Sequence, residues 1–267
     1  MAYRFRAHVV ITGQITCLSG LHIGGTEENY EIGNLENPII RDKMTGYPYI
    51  PGSSLKGKMR SLMEWTLGKV ESDGRVHGRS CRDSTCQVCR IFGSSTDRWS
   101  REKQAIGPTR LLVRDAFPSQ STLEQFIHGG SFVTEAKTET SLNRITSEAN
   151  PRPMERVPKG AQFDFEMVYG IYDLEDAGSI DIDNLHQVYT ALELLEASVL
   201  GGGGSRGSGN ILIENLAATI KTCDDYEAKA SGQEIQWAIV KGLNVADVIA
   251  TVQEKLGVAQ QTGGQAE

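Results

Sequence analysis

DNLHQVYTALELLEASVLGGGGSRGSGNILIE, residues 183–214, sets an amphipathic run, a glycine-dense loop and an apolar run in direct succession. Leu185, Val188, Leu192, Leu195 and Val199 recur at three- and four-residue intervals, which predicts a helix over Asp183–Leu200 with one apolar face. From Leu200 to Gly209, six of ten residues are glycine. No helix or strand interior suits that density, because each glycine there costs about 0.5–1 kcal/mol relative to alanine. A β-like run, Asn210–Glu214, follows the loop. Such a loop lets backbone N–H groups approach an anion closely, with Arg206 at hand for phosphate. A flexible linker is the other reading, but linkers rarely join a patterned helix to a strand of one domain.

Working outward, Phe163, Phe165, Met167, Tyr169 and Ile171 alternate strictly and predict a central strand. Near the N-terminus, Phe5, Ala7, Val9 and Ile11 alternate with Arg4, Arg6, His8 and Val10, the pattern of a half-buried strand. Pro51-Gly52-Ser53-Ser54 opens a second helix with a serine as its N-cap. Leu55, Met59, Leu62, Met63 and Thr66 form that helix's core-facing stripe. Two strand–helix–strand halves predict an α+β chain with a ferredoxin-like, RNA-recognition-like core. The whole chain, 1–267, reads as one domain carrying two insertions, at 68–104 and 129–160. The tail 258–267 reads as disordered.

The formal charge of −7 argues at first against a nucleic-acid partner, but its distribution does not. Arg41–Arg114 holds 15 basic and 7 acidic side chains, so the rest of the chain carries the acidic excess. A basic region on an acidic protein points to directed contact with a polyanion; chance imbalance among solvated side chains is the alternative. Lys56, Lys58 and Arg60 crowd the first turns of the second helix, where the macrodipole is already positive. An anion would offset them; a tolerated surface cluster is the other reading. No apolar run approaches the roughly 18–20 residues of a membrane span, and MAYRFRAHVVITG lacks a signal-peptide pattern. The five cysteines do not form a secreted disulfide framework, so a reducing cytoplasm is expected, with no membrane partner.

Three of those cysteines stand together in VHGRSCRDSTCQVCR. His77, Cys81, Cys86 and Cys89 match a four-ligand structural zinc site, which leaves no open position for catalysis. The loop around them has little apolar content, so a metal would order it. Free cysteines are the alternative, and another side chain could replace His77. Between Gly129 and Gly160 lies a polar stretch with Lys137, Arg144, Arg152, Arg156 and Lys159, read as an extended hairpin reaching toward a partner.

With these pieces in place, the chain resembles the RAMP-superfamily backbone subunit of type III CRISPR effector complexes, the repeated subunit of the Csm complex. The matching segments are GLHIGG (Gly20–Gly25), IGNLENPIIRD (Ile32–Asp42), IPGSSLKGKMR (Ile50–Arg60) and VRDAF (Val113–Phe117). TEAKTETSLNRITSEANPRPMERV (Thr134–Val157) and the glycine loop complete the set, in family order. The cysteine insertion is similar as well, and the resemblance makes 1–267 a single RAMP domain with a zinc-binding insertion and a thumb hairpin.

The resemblance implies copies of the chain arrayed along a guide RNA, beside other type III effector subunits, presenting the guide to complementary target RNA. It implies phosphate contacts from His22, Ser53, Ser54, Lys56, Lys58, Arg60, Gly202, Gly203, Arg206 and Gly207, and thumb contacts from Arg144, Arg152 and Arg156. Backbone contacts suffice where base pairing reads the sequence; an aromatic content of 7% likewise argues against base stacking as the main source of affinity. The family also cuts target RNA with an aspartate and a metal ion such as Mg²⁺, using the RNA 2′-hydroxyl as nucleophile. Here that position is Glu36, a departure, with Asp42 the second candidate. One extra methylene moves a carboxylate by ~1 Å, enough to slow a reaction about 10²-fold. His22 and Asp115 rank lower, the first as structural and the second as a salt-bridge partner of a neighbouring arginine. Three functions remain open: a cleavage-silent or slow backbone subunit, a fully active endoribonuclease subunit, and a stand-alone guide-processing ribonuclease. The last needs a histidine acid/base beside a glycine loop, and of His8, His22, His77, His128 and His186 only His22 lies in a glycine-rich segment.

Overall fold

A computed structural model describes residues 3–25, 37–78, 81, 83–94, 106–128, 133–229, 231–235 and 245–258. The chain begins with β1 (Arg4–Cys17), whose Ala7, Val9, Ile11, Ile15 and Cys17 are buried while the intervening residues are half-exposed. After it come α1 (Gly52–Thr66), α2 (Gln87–Phe92), β2 (Leu111–Val113), β3 (Phe117–Pro118) and α3 (Gln120–His128). Then follow β4 (Glu135–Leu142), β5 (Ala149–Arg156), β6 (Gln162–Asp173) and α4 (Ser179–Ala197). The last elements are β7 (Ile211–Thr222), α5 (Cys223–Glu227), β8 (Gln233–Ile235) and α6 (Val245–Leu256).

The main sheet runs β2–β6–β1–β7–β8, with β3 also on β6, and every pairing is antiparallel. The sequence expectation that Phe163–Ile171 forms a central strand holds, since β6 lies between β1 and β2. Through β1, α1, β2, β6, α4 and β7 the chain runs strand, helix, strand, strand, helix, strand, with α1 packed on α4 and α4 on β6 and β7. The helices therefore cover one face of the sheet, where the apolar side chains of β1, β6 and β7 meet them.

Several local features depart from the sequence expectations, each for a visible reason. β7 continues to Thr222 because Asn215, at φ 52°, forms a bulge opposite Thr12–Gln14. The bulge shifts the alternation from Ile211 and Ile213 to Leu216, Ala218 and Ile220, which hid the second half of the strand. A second bulge between Phe5 and Ala7 takes Arg6 out of register, and its guanidinium donates to the Leu256 carbonyl at the end of α6, 2.6 Å away. A cation suits that negative helix end. α1 is not capped by a serine: Pro51 holds the N-cap position, and Asp115 Oδ1 accepts the Gly52 N–H at 2.7 Å. Gly52 is required there, because a Cβ would lie 2.3 Å from the Val113 carbonyl oxygen. α4 starts at Ser179, four residues before the expected Asp183, because Asp181 is buried inside its first turn.

Asp181 is the centre of a buried charge network. It accepts Arg90 Nε at 3.0 Å, Arg110 Nε at 2.9 Å and the Tyr172 N–H at 3.1 Å. Arg110 has no exposed side-chain surface and also donates to the carbonyls of Ile106 and Pro108. Arg90 also pairs with Asp176 at 3.4 Å, while Arg110 Nη2 is buried without a hydrogen-bond partner among the described residues.

The region read as a zinc-binding insertion at 68–104 meets the core through α2. Val88, Cys89, Ile91 and Phe92 of α2 are buried among the main hydrophobic cluster. The hairpin expected at 129–160 is a separate two-stranded sheet, β4 against β5, from Glu135↔Arg156 to Leu142↔Ala149. Beyond Val258, the tail lies outside the described residues. Among the described residues no helix is long and apolar enough to cross a membrane.

Candidate nucleic-acid interface and metal centre

The glycine loop folds onto the Gly20–Gly25 segment. Gly202 N–H donates to the His22 carbonyl at 2.8 Å and Gly209 N–H to the Gly20 carbonyl at 2.9 Å. A Cβ on Gly201, at φ 76°, would stand 2.2 Å from the His22 carbonyl oxygen. The N–H groups of Arg206, Gly207 and Ser208 turn inward onto the carbonyls of Gly203 and Gly204. The loop's glycines therefore serve close approach of the chain to itself, and at these positions the N–H groups are already bonded. This differs from the expectation of a loop whose backbone N–H groups face an anion.

The thumb hairpin docks on the same segment. Leu21 and Val157 exchange backbone hydrogen bonds at 2.9 and 2.7 Å. His22 Nδ1–H donates to the Glu155 carbonyl at 2.7 Å, which leaves Nε2 as the ring's second polar atom. Arg156 donates to Ser208 Oγ at 3.2 Å and pairs with Glu135, its guanidinium lying over Gly20, where a Cβ would come within 2.5 Å. Arg206 pairs with Glu139 of β4, and Lys137 Nζ donates to the Arg206 carbonyl at 2.7 Å. His22, Gly202, Gly203, Arg206, Gly207 and Arg156 are thereby brought into one surface. Arg144 and Arg152, farther along the hairpin, are exposed and make no ion pair among the described residues.

At the hairpin tip, Asn143 Oδ1 accepts the N–H groups of Ile145 and Thr146, and Ser147 adopts φ 57°. This Asx turn lifts Ile145 off the stem, leaving it 94% exposed.

Of the three cations on α1, two have structural work. Lys56 Nζ donates to the Leu111 carbonyl at 2.7 Å, and its pKa is lowered first by burial and then by repulsion from Arg60. Arg60 Nε pairs with Glu64 at 2.8 Å, and its other end reaches the His77 carbonyl. Lys58 makes no ion pair among the described residues, and Ser53 is exposed with Ser54 partly so. The anion at the helix start is the protein's own Asp115, which was expected to pair with an arginine; Arg114 pairs instead with Glu166 at 3.0 Å.

Glu36 lies outside the described residues. The chain resumes at Asn37, whose carbonyl accepts the Glu155 N–H at 3.1 Å, so this segment meets the thumb base. Glu155 was missed from sequence. Its Oε1 takes Arg41 at 2.5 Å and Thr134 Oγ1 at 2.8 Å, and its Oε2 takes the Ile39 N–H at 2.9 Å. Burial alone would raise its pKa, but the Ile39, Thr134 and Arg41 contacts outweigh it and hold the carboxyl below its usual range. Only the repeated charge in TEAKTETS…MERV hinted at such pairs. Asp42 is a turn former: its Oδ1 accepts the Thr45 N–H at 2.8 Å, Thr45 Oγ1 at 2.9 Å and the Met44 N–H at 3.1 Å. Those Thr45 bonds lower its pKa.

His77, Cys81, Cys86 and Cys89 converge, with their donor atoms within 4.8 Å of one another and all four side chains buried. A tetrahedral ion with metal–sulfur bonds of about 2.3 Å would draw such donors to roughly 3.8 Å. His77 Nε2 already stands 3.4 Å from Cys86 Sγ, while Nδ1 lies 2.9 Å from Glu71, a carboxylate that orients the ring. A hydrogen bond from Cys89 draws the Cys86 thiol down to about 4, so one thiolate forms readily. The set fits a metal such as zinc. Glu64 accepts the His77 N–H at 3.2 Å, so the Arg60–Glu64 pair of α1 braces this centre. Among the described residues it is the only such grouping of histidine, cysteine and carboxylate side chains.

Residues 14–211 match the sequence profile of the RAMP superfamily, and this span covers most of the chain. The chain belongs to the RAMP superfamily. A RAMP relative from Methanothermobacter thermautotrophicus, named CRISPR system Cms endoribonuclease Csm3, is 45% identical over 85% of this chain and 92% of its own. The crystal structure of Methanopyrus kandleri Csm3 superposes with a TM-score of 0.55 at 27% identity, over 84% of this chain and 80% of that one. A chain of a Csm3–Csm4 subcomplex from a type III-A CRISPR-Cas interference complex gives a TM-score of 0.54 at 26% identity, over 98% of this RAMP chain and all of the other.

Proposed function

We propose that this chain is the guide-RNA-binding backbone subunit of a type III CRISPR ribonucleoprotein, presenting guide RNA for pairing with target RNA. The observation that carries the reading is the docking of glycine loop, Gly20–Gly25 segment and thumb hairpin into one surface, bearing the exposed cations Arg144 and Arg152. The strand–helix repeat is read as a ferredoxin-like, RNA-recognition-like core, and the relatives named Csm3 support further copies of the chain and other type III subunits as partners. Ile145 at the thumb tip suits a wedge between bases of the guide–target duplex. Sequence-independent contacts are enough, because pairing supplies specificity.

RNA recovered with the chain from cells and sequenced tests the reading, which fails if only bulk cellular RNA is found. Replacing Lys58, Arg144 and Arg152 together with alanine should weaken binding alike for unrelated guides. The salt dependence should become shallower by about 0.7 for each phosphate no longer neutralised. Lys56 and Arg60 are left out of this test, since their carbonyl and glutamate partners would confound binding with stability.

Cleavage forms a second reading, favoured by the endoribonuclease name of the relatives. Glu36 is its candidate residue, with slow cutting expected from the displaced carboxylate. A fully active subunit remains the alternative, and a stand-alone guide-processing enzyme is the weakest, because of the five histidines only His22 lies in a glycine-rich segment. Both oxygens of Glu155 are already bonded within the protein.

Zinc is read as the structural ion of the His77–Cys89 centre. Chelator-free protein should contain about one zinc per chain. Cys86→Ser with Cys89→Ser should release it and lower the melting temperature, because α2 is part of the main core. Zinc-free wild-type protein with an unchanged melt would rule the ion out.

A further inference from the structure

Glu139 holds the position an anionic ligand would take between two cations. Its carboxylate pairs with Arg206 Nε, from the turn Gly204–Arg206, and lies 3.5 Å from Lys137 Nζ. Lys137 and Glu139 share one face of β4, two residues apart. Arg206 is 60% exposed, and Oε1 of Glu139 is buried without a hydrogen bond. One carboxylate thus meets a guanidinium and an ammonium but leaves an oxygen poorly matched. A phosphate, with more oxygens, answers both cations better.

The neighbouring contact between hairpin and loop is of another kind. Arg156 bonds Ser208 and Glu135 while covering Gly20, and its side chain is only 15% exposed. It can hold the hairpin on the loop without help from Glu139.

We propose that Glu139 is a built-in placeholder for an RNA phosphate, held by Lys137 and Arg206 in the free chain and displaced when RNA binds. The proposal rests on the RNA-binding reading above. A structural clamp and a placeholder make opposite demands: removing a clamp weakens binding, whereas removing a competitor strengthens it.

The test is binding of a labelled single-stranded RNA to the full chain across a salt series. The proteins are wild type, Glu139→Gln, Arg206→Ala, the double variant, and Glu148→Gln as an exposed acid of the same hairpin outside any ion pair among the described residues. Glu139→Gln should tighten binding about 2- to 5-fold, the size of an exposed ion pair, and steepen the salt dependence by up to about 0.7. The gain should vanish in the Arg206→Ala background and be absent from Glu148→Gln. Melting temperatures establish that each variant is folded, and Glu139→Ser replaces the glutamine variant if that one is not. Unchanged or weaker binding by Glu139→Gln, or a gain that survives Arg206→Ala, overturns the placeholder while leaving RNA binding intact. Absence of binding by wild type overturns the RNA-binding reading itself.

Discussion

Asp181→Ala is expected to destabilise the chain by about 3–5 kcal/mol, because it strands buried positive charge. Asp181 and Arg110 have no exposed side-chain surface and Arg90 has almost none. Removing the carboxylate leaves two guanidinium groups and the Tyr172 N–H without their shared acceptor. At roughly 2–4 °C per kcal/mol for a chain of this size, the melting midpoint should fall by about 6–20 °C. Asp181→Asn keeps an acceptor oxygen but not the charge, and should lie between alanine and wild type. Glu166→Ala breaks the solvent-facing Arg114–Glu166 pair and should cost under about 1 kcal/mol. Equal melting shifts for Asp181→Ala and Glu166→Ala would show that the buried network contributes nothing special. Because Arg90 follows Cys89 directly, loss of the network should also loosen the metal centre, readable as faster zinc release to a chelator.

Glu36→Asp is expected to accelerate target-RNA cleavage about 10²-fold, the scale associated with a ~1 Å misplacement of a reacting group. Glu36→Ala should abolish cutting without loss of target binding, since the proposed RNA contacts lie on the thumb, Lys58 and the glycine loop. The assay compares the three proteins in otherwise identical assembled complexes, with Mg²⁺ and end-labelled complementary RNA. The Asn37–Glu155 hydrogen bond ties the residue that follows Glu36 to the thumb base. Rapid periodic cutting by wild type that persists in Glu36→Ala would place the catalytic group elsewhere.

The strands and helices were legible where one apolar phase ran uninterrupted. Phe163–Ile171 and Leu185–Leu195 each keep one period, and each forms the element expected. The phase change at Asn215 hid half of β7, because a bulge is a pairing feature and leaves only a slipped pattern in the sequence. Metal-ligand spacing was equally local: four donors within thirteen residues converge as expected.

What the sequence by itself determined was which residue types lie near each other along the chain: amphipathic periods, a metal-ligand run and a loop too rich in glycine for regular structure. Which of its charges are free was decided only by tertiary structure. Lys56, Arg60 and Arg206 looked alike as cations awaiting phosphate, yet Lys56 serves a carbonyl of β2, Arg60 braces the metal centre and Arg206 holds Glu139. Their partners lie 55, 17 and 67 residues away in the chain, the last two counted to His77 and Glu139. Half-buried Lys56 and Arg60 take whatever opposite charge or carbonyl the folded chain brings within about 3 Å, because an unpaired buried charge is costly. The exposed Arg206 takes the Glu139 that the thumb sets beside it. That pairing depends on how elements pack together, and no local pattern encodes it.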